Sequence, residues 1–346
     1  MSGVSGVEYK LAIKKAATWA TAVACGAGDG LLFLPDSLKQ TREEKPDDSL
    51  GNYWAADSDS GAISASGDTP HYLRYDGLDL LFALLCGSTA GVPTQQSSTT
   101  AYAQSFPFTT NRDGLFATIA LNQKVNIKEV ASAKLIGATL SGEVGQPVKL
   151  TCNWLLTSIS KSSLVNTLTT FNNVTIPEIA NRVLFNQGVF RINSQSGAAL
   201  TDSDKVYPKS FDLAVKLPME GVYGAGGSFD IIDEPTNNGL PEVTLNLKFP
   251  RYSAVTNFTD WNSKVLKKLD ITFTGNLIAS TFYRTFKLQF PNMKISNVED
   301  ATENGIIPEE VEFKCLACAT APTGMTGIVK PFLLSVINQK STNVLA

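Results

Sequence analysis

The sequence predicts a mainly β protein: a tandem, duplicated β-sandwich with one flanking helix in each unit. Three observations carry this. First, a turn, a proline and a strictly alternating apolar/polar run occur together three times, at 145–155, 239–249 and 307–317. In the first run Val148, Leu150, Cys152 and Trp154 share one face, and Lys149, Thr151 and Asn153 the other. Strand side chains alternate faces, so such a run makes a half-buried sheet. Second, the order helix, strand, strand, proline-led strand occurs twice along the chain. Third, strands come in runs with few helices between them, which favours sandwiches or barrels.

The elements follow in order. After a short amphipathic start at 9–17, a long polar segment at 39–60 has no regular pattern and is expected to be a functional or interface-forming loop. Leu78, Leu81, Phe82 and Leu85 then fall at helical spacing, which predicts a helix over 76–86 with Asp76 as N-cap and Gly87 as C-cap. Strands are expected at 115–121, 135–140 and 148–156. The second series runs through 211–217 and 243–249 to a helix at 260–268, in a stretch carrying Trp261, Val265 and Leu269 on one side. Strands at 269–275, 286–290 and 311–317 complete it. Trp154 and Trp261 both read as buried. The units are expected to span 1–175 and 176–346, each the size of an ordinary domain.

Composition narrows the function. The 346 residues are 43% hydrophobic and 18% charged, with a formal net charge of −3. A general nucleic-acid binder would show basic clusters instead. A charge content this low in a β-rich chain hints that partners cover part of the surface. No apolar stretch approaches the roughly 20 residues that cross a bilayer, and no secretory leader is read at the N-terminus. The five cysteines are scattered, and Cys152 and Cys315 lie on apolar strand faces, so they read as core residues in a reducing compartment. Cys315 and Cys318 have redox-pair spacing, but no second pair accompanies them.

Little chemistry is on offer. The one histidine, His71, has no serine or cysteine motif placed to use it and reads as a loop or interface residue. Asp57-Ser-Asp-Ser-Gly61 lacks most of the ligands of a calcium loop, and Gly26-Ala-Gly-Asp-Gly30 lacks the lysine of a phosphate loop. No catalytic residue, metal site or cofactor is expected. The acidic segment holding Glu43, Glu44, Asp47 and Asp48 is the exception, because Tyr53 and Trp54 sit inside it. Either these aromatics fold back on their own domain, or they anchor in a neighbouring subunit. A carbohydrate- or receptor-binding β-sandwich is the alternative function, and a carboxylate-based hydrolase a third.

The residues themselves resemble a family. Ile13-Lys-Lys-Ala-Ala-Thr-Trp-Ala-Thr-Ala, Asp29-Gly-Leu-Leu, Asp48-Ser-Leu-Gly, Ser66-Gly-Asp-Thr and Leu73-Arg-Tyr-Asp-Gly-Leu-Asp-Leu-Leu-Phe-Ala-Leu-Leu-Cys-Gly87 are similar to the major tail tube proteins of long-tailed, siphovirus-like bacteriophages. So are the proline-led strand at Pro308 and the ending Pro331-Phe-Leu-Leu-Ser-Val-Ile-Asn338. The resemblance implies a structural virion protein, not an enzyme. It implies tail-tube-type β-sandwich domains whose inner sheets close into a barrel in a ring, rings stacking into a hollow tube, and genome passage through the lumen without specific binding. Assembly would occur in the host cytoplasm. Two domains per chain would give a trimeric ring of pseudo-sixfold symmetry, with a hexamer as the alternative. Tail terminator, tape measure and distal tail proteins are the other implied partners. The acidic residues 43, 44, 47 and 48 and the aromatics Tyr53 and Trp54 would then make inter-ring or inter-subunit contacts.

Overall fold

The computed structural model describes residues 6–49, 53–54, 57–176, 181–225, 229–300 and 305–346. Among these described residues fourteen strands have six residues or more. They are β1 (Lys10–Lys15), β2 (Lys39–Pro46), β3 (Ser58–Tyr72), β4 (Tyr102–Pro107), β5 (Ala117–Asn122), β6 (Ile127–Glu143) and β7 (Lys149–Leu156), followed by β8 (Gly188–Ser194), β9 (Ser210–Lys216), β10 (Glu242–Phe249), β11 (Leu266–Ala279), β12 (Phe282–Asp300), β13 (Glu309–Cys315) and β14 (Leu333–Asn338). Two helices, α1 (Asp79–Cys86) and α2 (Thr256–Asn262), interrupt them. All ladders are antiparallel and form one connected sheet.

The pairing repeats. In the first half the order across the sheet is β1–β5–β6–β7–β3–β2. In the second it is β8–β11–β12–β13–β10–β9. Even the irregularities correspond. The β5/β6 register breaks between the pairs Ala117↔Ala133 and Ile119↔Val130, and the β11/β12 register between Lys267↔Met293 and Leu269↔Phe290. A second bulge lies at Leu135/Gly137 in β6 and at Ile295/Asn297 in β12. Bulges re-aim strands and are hard to place twice by chance. Lys134, Leu135 and Gly137 therefore match Lys294, Ile295 and Asn297, and in the same way Leu217 matches Arg42.

The halves are joined by a seam. Along its C-terminal portion β6 pairs with β9, from Gly137↔Lys216 to Glu143↔Ser210. A Cβ at Gly137 would lie 2.8 Å from the Val215 carbonyl oxygen, so only glycine lets β9 approach there. Beneath the seam one core runs through both halves. Phe185, Phe190, Phe211, Phe273, Phe286, Phe82 and Phe106 form a chain of ring contacts with centroids 5.5–6.3 Å apart. Aromatic pairs at such spacing add to simple area burial.

Helix α1 starts at Asp79 rather than 76, and Asp76 does not cap it. The Asp76 carboxylate instead accepts from Arg284 Nε at 2.7 Å. Gly87 closes the helix in the left-handed conformation, as expected. Leu81, Phe82, Leu84 and Leu85 are all buried. The expected helix at 260–268 is a correction: α2 occupies Thr256–Asn262, and Leu266 already belongs to β11. Lys264 has a positive φ and ends the turn, so Val265 and Leu269 never join the helix. Trp261 is partly exposed, whereas Trp154 is buried and donates to Thr69 Oγ1 at 2.8 Å.

The C-terminal strand β14 inserts between β12 and β4 and so ties the second half to the first. At its end Asn338, fully buried, donates to Asp79 Oδ1 at 2.8 Å and to the Tyr75 carbonyl at 3.1 Å. Burial pushes the Asp79 carboxyl above the ordinary carboxylate range, and the Asn338 amide opposes that. Asn338→Ala leaves both acceptors without this donor in the core. We expect it to cost about 3 kcal/mol in urea unfolding, against less than about 1 kcal/mol for Gln339→Ala at the exposed next position.

Candidate functional site

The segment at 39–60 is not an irregular loop; it is most of a hairpin. Strand β2 and the first residues of β3 pair from Lys39↔Ser66 to Pro46↔Ser58 and project as an arm. Every residue of β2 is exposed. Within the arm Glu44 accepts from the Ser60 hydroxyl at 3.0 Å, and Lys45 Nζ lies 3.6 Å from Glu43. The amide and hydroxyl of Ser49 both bond Asp47, which holds that carboxyl below its ordinary range. Asp48 is exposed beside it. At the tip Tyr53 and Trp54 are 90% and 79% exposed and pack edge-to-face on each other at 5.1 Å. They do not fold back onto the core.

The base of the arm is held by the second half. Arg42 lies 4.9 Å over the Phe229 ring, the Ile63 amide donates to the Phe229 carbonyl at 2.8 Å, and Tyr223 donates to the Ile63 carbonyl at 3.0 Å. These contacts come from the 217–241 connection between β9 and β10, which occupies the place in the second half that the arm occupies in the first. Sequence reading missed this clamp. Its only signal was the pair Tyr223 and Phe229 in an otherwise glycine-rich stretch.

Among the described residues two of the open sheet edges correspond to the strands of the seam; others, such as residues 274–279 of β11, do not. Of those two, one is the outer edge of β2, which pairs only with β3. The other is the C-terminal part of β12: residues 295–300 pair with β13 on one side, and β11 ends opposite Lys294 on the other. The counterparts of these two edges, β9 and the C-terminal part of β6, are the strands that meet in the seam. Residues Lys149, Glu242, Lys248, Glu312 and Lys314 lie on the sheet face away from the core, so that face carries both signs.

The remaining candidates resolve into structure. Asp57-Ser-Asp-Ser-Gly61 runs into β3, and among the described residues no cluster of histidine, cysteine and carboxylate could hold a metal. Cys25, Cys86, Cys152 and Cys315 are buried free thiols, and burial pushes the Cys86 thiol up to about 12. Cys318 is only partly buried, so it is not the core residue expected. No described helix is long and apolar enough to cross a membrane.

With an exposed arm, open edges matching the seam strands and one sheet as its frame, the chain compares directly with one family. A family model described as phage tail tube protein matches residues 6–315. The chain belongs to the phage tail tube protein family. That membership makes it a structural protein of the virion tail. Comparison with curated proteins returns no match.

The lone histidine of this tail tube protein is a core residue. His71 is fully buried in β3, with Nδ1 2.9 Å from the Leu32 carbonyl oxygen, so Nδ1 carries the proton of the neutral ring. Nε2 is buried without a partner, and burial lowers the imidazole pKa from 6.5 to about 4. The unfolded chain therefore binds a proton below pH 6.5 that the folded chain refuses until about pH 4. Stability should fall as pH drops through that window, by roughly 3 kcal/mol from this group. Urea unfolding at stepped pH checks it: His71→Leu should flatten the slope between pH 6.5 and 4, and an unchanged slope would assign the effect elsewhere.

Proposed function

We propose that this chain is the major subunit of the tail tube and builds it by joining its own sheets edge to edge. The observation that carries this is the internal seam. The chain already contains one complete junction between two tube-like units, β6 against β9, and ends in the two halves of another. Units spanning 1–175 and 176–346 would each supply one-sixth of a ring, so three copies close it with pseudo-sixfold symmetry. Each closure would set residues 295–300 of β12 against β2 of the next copy. Contacts that close by rotation give rings, and contacts along the axis give filaments. Ring closure also removes these two open edges, which otherwise invite misassembly.

In this reading the polar face bearing Lys149, Glu242, Lys248, Glu312 and Lys314 lines the lumen. Alternating signs give phosphate no continuous basic strip to grip, so DNA passes without specific binding. No catalytic role is proposed. The arm extends beyond the sheet, and Tyr53 and Trp54 at its tip suit axial contacts, since exposed aromatics in polar surroundings are interface anchors. Tail terminator, tape measure and distal tail proteins would meet the tube at its ends and in its bore.

Negative-stain microscopy of concentrated protein tests the reading. We expect rings and tubes, and native mass spectrometry should give three chains of 37.1 kDa per ring. Persistent monomers would overturn the proposal, and six chains per ring would overturn its pseudo-sixfold form. A second experiment addresses the arm. The double variant Tyr53→Ala/Trp54→Ala should shift unfolding free energy by no more than about 0.5 kcal/mol, because both side chains are exposed. It should nevertheless stop rings from stacking; normal tube growth would remove the arm from the axial contact.

A further inference from the structure

At the internal seam a carboxylate crosses from one half to the other. Lys134, 2% exposed at the side-chain level, forms an ion pair with Glu234 of the 217–241 connection. The same lysine donates to the Arg112 carbonyl at 2.6 Å, and Glu234 also accepts from the Gly114 amide at 3.0 Å. The seat of Glu234 is thus built from Lys134 and the turn just before β5, all in the first half.

The repeat places an equivalent seat in the second half. The shared bulges match Lys134 with Lys294 and Ala117 with Lys267, so Gly114 matches Lys264 and Arg112 matches Asn262. Gly114 and Lys264 both have left-handed backbone, with φ of 72° and 55°. At this second position there is an open groove of about 410 Å³, lined by Trp261, Asn262, Lys264, Lys294, Ser296 and Lys314 among others. Three lysines line it, and among the described residues none of the three has an ion-pair partner. Among the described residues no acidic side chain lines it; the Glu312 carboxylate reaches only its rim, where it accepts from the Ser296 hydroxyl at 2.8 Å.

What should fill it follows from the same correspondence. Glu234 belongs to the connection between β9 and β10, and the matching connection in the first half is the acidic arm. In its own chain the base of that arm is clamped to the 217–241 connection. Carrying the seam register across the repeat, with the Leu217 amide donating to the Ile136 carbonyl at 2.8 Å as the reference bond, sets Arg42 opposite Ser296. That register sets Lys39 opposite Glu299 and carries Glu44 to the end of the open edge, beside Lys294, whose own ladder position on that side is taken by Leu266 of β11. Directly opposed unlike charges stabilise antiparallel pairing, and like charges there destabilise it.

We propose that the lysine-lined groove beside α2 receives a carboxylate from the acidic arm of a second copy of this chain, with Glu44 seated against Lys294. This rests on the edge-to-edge reading above and adds its register and its charge code. The groove is the docking site of the ring-closing contact, and the arm serves that contact through its base while its tip remains free.

Charge reversal tests it. Lys294 and Glu44 are exposed, so Lys294→Glu and Glu44→Lys should melt as wild type by circular dichroism. Sedimentation velocity at low salt should show each single variant needing about tenfold or more protein than wild type to form rings. The double variant Glu44→Lys/Lys294→Glu should assemble within about threefold of wild type, because the pair is restored with its signs exchanged. Single variants that assemble like wild type, or a double variant no better than the singles, would overturn the groove assignment while leaving the tube reading intact. Wild-type protein that never assembles would instead defeat the tube reading itself.

Discussion

The backbone ladder between β6 and β9 is the constraint on which the rest of the structure depends. A strand at the edge of a sheet presents unpaired amides and carbonyls that must find partners. Here the first half satisfies one such edge with a strand of the second half, from Gly137 to Glu143. That single choice fixes the register of the halves, requires glycine at 137, and brings Phe211 of β9 against Phe185 and Phe273. The shared core is a consequence of the seam, since side chains on paired strands have no freedom to face elsewhere.

The repeat makes the differences between the halves informative. Helix α1 is buried because the seam, β4 and β14 enclose it, while α2 has no buried residue and carries Phe258 and Trp261 partly in the open. The 217–241 connection lies down on the arm, while the arm at the same place in the repeat extends. Both contrasts have one origin. What lies at the seam is covered by the other half, whereas beyond its clamped base the arm, like the outer side of α2, is left exposed.

Much of this was legible in the residues, for stated reasons. Alternation at Val148–Trp154 and Val243–Phe249 predicted strands because one face of each is core and the other open. The helix at Leu81–Leu85 was legible because its apolar stripe is complete and Gly87 ends it. The arm was not, since both of its faces are exposed and no alternation marks its first strand; a charged sequence with two-sided exposure looks like a loop. The second helix was displaced for a related reason. Trp261, Val265 and Leu269 are spaced as a helical face, but the left-handed Lys264 breaks the helix, and nothing local announces that a lysine will take that conformation. Partners across the seam, Lys134 with Glu234 among them, are one hundred residues apart and have no local signal at all.

The charges on the open edges do two things at once. Strand β2 carries Lys39, Arg42, Glu43, Glu44 and Lys45 and ends in Pro46, so it is a poor template for indiscriminate strand addition. A strand of unlike charges accepts only a partner that presents the opposite signs in register, and β12 offers Lys294 and Glu299 five residues apart, matching Glu44 and Lys39 at the same interval. A one-residue slip would break both pairs together. The seam inside the chain does not need such coding, because its two strands are tethered and meet at high effective concentration. There β9 alternates Phe211, Leu213 and Val215 into the core, and packing alone sets the register. The chain thus uses apolar alternation where its own sequence guarantees the encounter, and charge where the partner must be selected from solution.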